Sequence, residues 1–400
     1  MSDVAAPVVV VGASLGGVRI AQSLRDYGYG GGIVLIGAES ELPYDRPPLS
    51  KGLLTGSDSP MPALLASREE LDAADIDLRL GVAATGLDPL RHEVTLDTGE
   101  VLAYSSLVIA TGSNPFYIEG WGRPQGVHEL RTYQDCLDLR AGLKPGVRLG
   151  IVGAGFIGAE VASSARRMGA EVVIVDNTPA PLSIAIGEYF ADLTTAMHED
   201  AGIALHHNVT VVGIEGEPHV TGIRLQDGRV IDADLVLVCI GARPAVAWLE
   251  ASGLDIANGV VCDEYLEAAP GVYAVGDVAN WHNTLLDERM RVEHWTTTGD
   301  QAKYVAKVIA TGERGAGFGT LPFVWSDQFG HHIEMVGRRR PTDSVRVIEG
   351  SLQEQRFVAV YERGGVEVAA VAFDSPRAML QLRRRLSTAH TTNGAILAGR

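Results

Sequence analysis

The chain has 400 residues, enough for two or three domains, and its 46% hydrophobic and 21% charged residues describe an ordinary globular protein. A formal net charge of −17 argues against nucleic acid or an anionic membrane as partner, though a local basic face could still meet an acidic protein. No apolar run reaches the roughly 18 residues of a membrane span, and Val8 leads into a strand with no secretory leader before it, so a cytoplasmic protein is expected.

In chain order, the Val run from Val8 is apolar and β-branched enough for a buried strand. Gly12-Ala13-Ser14-Leu15-Gly16-Gly17 follows, then a helical stretch to Arg25, a strand over 33–36, and Glu39, 22 residues after Gly17. Strand, Gly-rich turn, helix, strand and acid form the pattern of a dinucleotide-binding βαβ unit. The glycines let backbone approach a pyrophosphate, the helix start offers unpaired N–H groups, and the carboxylate meets a ribose diol. Ser14 stands where G-x-G-x-x-G has its middle glycine, but a serine still presents its backbone N–H.

Next, Tyr44-Asp45-Arg46-Pro47-Pro48-Leu49-Ser50-Lys51 is stiffened by two prolines. It is either a Pro-rich loop with solvated charges or a cationic segment beside the cofactor. A helix over 67–73, a strand over 78–80 and a hairpin turning at 97–100 precede a strand over 106–110. That strand dissolves into Thr111-Gly112-Ser113-Asn114-Pro115, which looks like a domain boundary.

A second βαβ unit starts at Arg148. Gly153, Gly155 and Gly158 complete G-x-G-x-x-G, and Asp176 follows Gly158 by 18 residues. The halves also repeat downstream, because Asp227-Gly228-Arg229, the strand over 235–239 and Gly241 mirror Thr98-Gly99-Glu100, the strand over 107–110 and Gly112. Two copies of one nucleotide-binding domain imply two cofactors with electrons passing between them.

A short strand then ends in Gly276-Asp277, a ligand-side position in an open α/β sheet. After Thr320 the pattern becomes short strands over 323–325, 332–336, 345–347, 357–361 and 366–373, then a helix over 375–386 and a tail expected to fray. Cys136, Cys239 and Cys262 are far apart, so neither a metal site nor a structural disulfide is expected, and Cys239 reads as a small core residue.

With these motifs together, the chain resembles the flavoprotein superfamily with two dinucleotide folds that includes glutathione reductase. Within it, Arg46-Pro47-Pro48-Leu49-Ser50-Lys51, Val292-Glu293-His294-Trp295 and Trp325-Ser326-Asp327-Gln328 are similar to the NADH-dependent ferredoxin reductases that serve oxygenases, the putidaredoxin reductase type. The resemblance implies an α/β fold with two Rossmann-like domains: an FAD-binding domain at 1–113 and 242–319, split around an NADH-binding domain at 114–241. A C-terminal α+β interface domain at 320–400 completes it.

The resemblance further implies that Gly12, Ser14, Leu15, Gly16, Gly17 and Glu39 hold the ADP half of FAD. Arg46, Lys51, Val82, Ala83, Ala110, Thr111, Gly112, Arg131, Asp277, Glu293, His294, Trp295 and Trp325 would lie along the rest of it. Among these, Lys51 would sit near the reactive edge of the isoalloxazine, Asp277 on the ribityl chain and Trp325 against the ring. Glu293-His294-Trp295 would start a helix under the pyrimidine edge, with His294 as a positioning residue. Gly153, Gly155, Phe156, Ile157, Gly158, Glu160, Asp176 and Gly241 would hold NADH, Glu160 beside the nicotinamide. Lys51, Glu160, Trp295 and Trp325 are the residues implied to act in catalysis. Ala245, where the family often has Asn, is a departure.

Thiol-dependent members carry one or two cysteines shortly after the first βαβ unit, and this chain has none before Cys136, so the flavin is expected as the sole redox centre. The implied activity is hydride transfer from NADH to FAD, then single electrons to an iron–sulfur ferredoxin that supplies a cytochrome P450 or Rieske-type oxygenase. Rubredoxin, a quinone or monodehydroascorbate as acceptor stays open, as does an NADH-sensing flavoprotein resembling apoptosis-inducing factor. A monomer or weak homodimer is expected, with Lys303, Lys307 and Arg338-Arg339-Arg340 as candidate ferredoxin contacts. Asp176 is followed by no Lys or Arg through Pro181, which favours NADH over NADPH; Arg166 and Arg167 are the nearest cations in sequence.

Overall fold

A computed structural model of the chain describes residues 6–57 and 61–397. Two parallel sheets, each with the first strand of its βαβ unit in the middle, set the architecture. In one, the strands run in the order Glu267–Ala269, Val272–Ala274, Ser106–Ile109, Val8–Val11, Ile33–Gly37 and Ile76–Leu80, with only the first antiparallel. In the other, the order is Val127–His128, Leu235–Val238, Arg148–Val152, Glu171–Val175 and Ala204–His206, all parallel. Strands covered on both faces need apolar side chains at every position, and Val8–Val11 is buried throughout. Each sheet therefore has a switch point at the end of that central strand, Val8–Val11 or Arg148–Val152, where the chain leaves to opposite sides and a crevice opens.

The internal repeat is exact in its close contacts. A Cβ on Gly12 would collide with the carbonyl oxygen of Ala110, and one on Gly153 with that of Cys239. Likewise Gly17 would strike the Gly12 carbonyl, and Gly158 the Gly153 carbonyl. Gly12 and Gly153 both have left-handed φ, +115° and +107°. Each fold also carries a three-stranded antiparallel sheet, over Ala84–Asp88, Glu93–Leu96 and Val101–Ala103 in the first. The counterpart in the second is Val211–Glu215, Gly222–Leu225 and Val230–Asp232. The chain passes between the two folds through an antiparallel ribbon of Ser113–Pro115 and Ala242–Pro244. Ala245 closes this ribbon through its backbone, its N–H donating to the Gly112 carbonyl at 2.9 Å, so the side chain missing there is not what joins the two segments.

The last unit is a five-stranded antiparallel sheet in the order Phe323–Gln328, His331–Gly337, Val366–Phe373, Arg356–Arg363 and Ser344–Ser351. Met379, Leu382 and Leu386 of helix Pro376–Leu397 pack on one face with Val336, Val358 and Val360. Phe357, Tyr361 and Phe373 on the other face join Leu182, Ile186 and Phe190 of the second fold. The expected end of the helix at residue 386 is corrected: it runs to Leu397. The apolar periodicity stops at Leu386, but no proline follows to stop the backbone hydrogen bonds. Among the described residues no helix is long and apolar enough to cross a membrane.

Candidate functional site

A cleft of about 850 Å³ runs from the first glycine turn, through the proline segment, to the second glycine turn. Its first wall carries Ser14, Leu15, Gly16, Arg46, Lys51, Ala110, Gly112, Arg131 and Asp277. The facing wall carries Gly153, Gly155, Phe156, Ile157, Glu160, Asp176 and Gly241, and Glu293, Trp295 and Trp325 close one end. Gly12, Gly17 and Gly158 stand behind the walls as close-packing positions, and Glu39, Val82, Ala83, Thr111 and His294 also lie outside the lining. Val82 and Ala83 are held in the outer sheet region, where Val82 N–H donates to Gly37 O and Ala83 O accepts from Asp97 N–H.

Ser14 precedes helix Leu15–Asp26 at φ −106°, and Gly155 precedes helix Phe156–Arg167 at φ −77°. Both conformations are extended and open to any residue, so this position does not require glycine. The serine hydroxyl adds a contact of its own, accepting from Arg46 Nε at 3.2 Å.

At the centre, Lys51 Nζ lies 2.6 Å from Glu160 Oε2. Glu160 is buried, and Ser50 Oγ donates to the same oxygen at 2.5 Å while Ser326 Oγ donates to Oε1 at 2.6 Å. These donors come from the proline segment and from the last sheet, so one carboxylate ties three sequence-distant parts of the chain together. Ser163 and Ser164 lie on the same helix face, three and four residues on. Ser164 Oγ donates to Ser50 O at 2.7 Å, and Ser163 Oγ accepts from Phe329 N–H at 2.8 Å.

Asp277 follows strand Val272–Ala274 and accepts from Ser113 Oγ at 2.9 Å and Arg131 at 3.2 Å. His294 is the N-cap of helix Trp295–Thr311, as its motif implied. Burial pushes its imidazole down to about 4, with Asp277 opposing, which leaves the ring neutral near pH 7 and suited to positioning. His294 Nδ1, Thr297 Oγ1 and Gln301 Nε2 are buried here with no hydrogen-bond partner. Trp295 Nε1 donates to Asp45 Oδ1 at 2.8 Å, and its ring meets Trp325 edge-on at 6.0 Å.

Glu39 accepts from Arg46 at 2.6 Å and from the Tyr44 hydroxyl, and Tyr44 in turn accepts Tyr133 N–H at 2.8 Å. Burial holds the Tyr44 hydroxyl well above the ordinary tyrosine range. On the second fold, Asp176 accepts N–H bonds from Ala154 at 2.5 Å and Thr178 at 2.6 Å, an arrangement that fixes its carboxylate at the strand end. Arg166 donates to the carbonyls of Ala201 and Ala170 at the far end of the helix. That is about 15 Å along the axis from the glycine turn, so it is no counter-charge for Asp176.

Two expectations need correction. Cys239 is on the cleft wall and only partly covered, yet burial raises its thiol to about 12, far from the thiolate form. Arg338-Arg339-Arg340 is not a free basic run. Arg339 donates to the carbonyls of Ser183, Ile184 and Ala185, while Arg338 and Arg340 lie 3.3 and 3.7 Å from Glu288. Lys307 pairs with Glu313 at 3.5 Å, and Lys303 has no ion pair among the described residues.

Ser50, Ser113, Asp45 and Ser326 were missed as site residues in the sequence. Three of them sit within or beside the diagnostic motifs, but a lone hydroxyl or carboxylate there carries no spacing signal. Their partners lie 110 to 250 residues away.

Comparison with known proteins agrees with this geometry. The family model for pyridine nucleotide-disulphide oxidoreductases matches residues 6–322, and the model for a reductase C-terminal domain matches 323–399. The chain is 35% identical over 372 residues to the ferredoxin–NAD(+) reductase subunit of the benzene 1,2-dioxygenase system of Pseudomonas putida, covering 92% of this chain and 90% of that protein. It is 31% identical to putidaredoxin reductase of Pseudomonas putida, covering 92% and 89%. The solved covalent complex of putidaredoxin reductase with putidaredoxin superposes with a TM-score of 0.91 at 30% identity, covering 96% of this chain and 93% of the other.

Proposed function

The chain belongs to the pyridine nucleotide-disulphide oxidoreductase family, and we propose that it is an NADH-dependent flavoprotein that reduces an iron–sulfur ferredoxin serving an oxygenase. The observation that carries this reading is the single cleft that joins two dinucleotide folds across the Lys51–Glu160 pair, with no cysteine pair along it. The domain division is proposed at the ribbon, with 1–113 and 242–319 as the FAD part, 114–241 as the NADH part and 320–400 as the interface part.

The residues fit these groups. Ser14-Leu15-Gly16 and Gly155-Phe156 line the cleft at the two helix starts, where a pyrophosphate is favoured. Asp277, with Ser113 and Arg131 beside it on the cleft wall, would supply polar partners for a ribityl chain. In this reading Arg46 and Tyr44, which line the cleft and are held by Glu39, would meet the adenosine ribose of the flavin, and Asp176 would meet the ribose of NADH. When bound, the flavin and the nicotinamide supply hydride and one-electron chemistry. The chain's own part is to hold Lys51 against Glu160 at the junction, to keep His294 neutral and to limit solvent at the Trp295–Trp325 end.

A panel of acceptors tests the reading. NADH-dependent turnover with a cognate ferredoxin should exceed that with rubredoxin or quinones by at least about tenfold. A stronger preference for a quinone, or binding of NADH without turnover on any acceptor, would replace it with one of those alternatives. The flavin should leave the polypeptide on acid precipitation, because it is held by contacts alone.

A further inference from the structure

We propose that Ser326, backed by Gln328, is a positioning residue for Glu160 and through it for the Lys51 ammonium; the inference rests on the assignment of Glu160 to the nicotinamide site. A carboxylate paired with an ammonium only accepts hydrogen bonds. Ser326 Oγ, 2.6 Å from Glu160 Oε1, must therefore donate its one proton there. It can then only accept from Gln328, whose Nε2 lies 3.0 Å away, so the direction of the whole chain is set outward from the carboxylate. Ser326 is fully buried and Gln328 nearly so, which leaves water little part in the arrangement.

The other carboxylate oxygen is held by Lys51 and Ser50, both on the proline segment. With those two alone the carboxylate could still turn about its last side-chain bond. Ser326 holds Oε1 and stops that rotation. It does so from strand Phe323–Gln328, which is paired along its whole length with His331–Gly337. Alternation along this strand puts Ser326 and Gln328 on the face toward helix Phe156–Arg167 and Trp325 on the other. A site residue held from a rigid sheet is placed more accurately than one held from a loop. The contacts of Ser163 and Ser164 fasten the same helix independently, so the loss of one hydroxyl at 326 leaves the joint standing.

A double-mutant cycle on the flavin-loaded protein decides the matter. It uses Ser326→Ala, Ser326→Thr, Glu160→Gln and the Ser326→Ala/Glu160→Gln pair. The first readout is kcat/KM for NADH with ferricyanide, and the second, without turnover, is the equilibrium affinity for NAD+. Ser326→Ala is expected to lower kcat/KM about fivefold and NAD+ affinity about threefold, and Ser326→Thr to restore both to within about twofold. In the Glu160→Gln background the loss from Ser326→Ala should be smaller, since the charged acceptor is gone although the introduced amide oxygen can still take the Ser326 proton. Equal losses in both backgrounds, or no loss from Ser326→Ala where Glu160→Gln has one, would overturn the inference. A Glu160→Gln variant indistinguishable from the parent would instead overturn the assignment of Glu160, and the inference with it.

Discussion

Asp176 shows how much one side chain decides. Two backbone N–H groups fix its carboxylate, no Lys or Arg follows it through Pro181, and Arg166 is engaged with carbonyls at the far end of its helix. A 2′-phosphate placed there meets like charge, so NADH should be preferred over NADPH by at least about tenfold in kcat/KM, the effect of ~1.4 kcal/mol. Asp176→Ala combined with Asn177→Arg should erode or reverse that ratio in steady-state kinetics with both coenzymes. His198 makes a separate statement about stability. It is fully buried, its Nδ1–H donates to Thr194 O at 2.7 Å, and Nε2 has no partner. Burial pushes its pKa from 6.5 to about 4. Above pH 6.5 the ring is neutral whether folded or unfolded. Below that, the unfolded chain takes up a proton that the folded chain refuses, so stability falls as the pH drops toward about 4. The loss is at most about 3 kcal/mol. Urea midpoints at about pH 7.5 and about pH 5 should therefore lie closer together in His198→Leu than in the parent.

Among the elements, the two βαβ units have the same backbone plan but separate duties, and the close-packing glycines can tell them apart. Gly17→Ala drives a methyl into the Gly12 carbonyl, and Gly158→Ala into the Gly153 carbonyl. The first should yield protein with little or no bound flavin. The second should keep its flavin while KM for NADH rises more than about tenfold. Flavin absorbance per chain and NADH kinetics read the two outcomes. These units were legible in the sequence because a glycine that must pack against a carbonyl leaves a fixed spacing. The helix at 15–26, the hairpins and the last sheet were legible from periodicity for the same local reason. The Glu160 cluster was not, because its donors Ser50 and Ser326 meet it only after the three parts have folded together. The extension of the last helix to Leu397 was hidden too, since backbone bonding continues where the apolar stripe ends.

At the scale of the whole molecule the net charge is −17, and within 338–340 Arg339 is engaged with carbonyls while Arg338 and Arg340 share Glu288 and stay partly exposed. Arg339 fastens the last sheet to helix Ser183–Ile186, so Arg339→Ala should lower the melting temperature while leaving KM for ferredoxin within about twofold. Lys303, exposed on helix Trp295–Thr311, is the remaining candidate from the sequence. Ferredoxin reduction should slow with added salt while NADH-to-ferricyanide transfer does not, and equal salt dependence would count against electrostatic docking. The most direct measurement is an anaerobic two-stage mixing experiment. NADH is mixed with the oxidised flavoprotein, and oxidised ferredoxin is added after the flavin absorbance has bleached. Bleaching by one equivalent of NADH, followed by reduction of two equivalents of one-electron ferredoxin at a rate no slower than steady-state turnover, is the expected result. A flavin that stays bleached in the presence of ferredoxin, or that NADH fails to bleach, would contradict it.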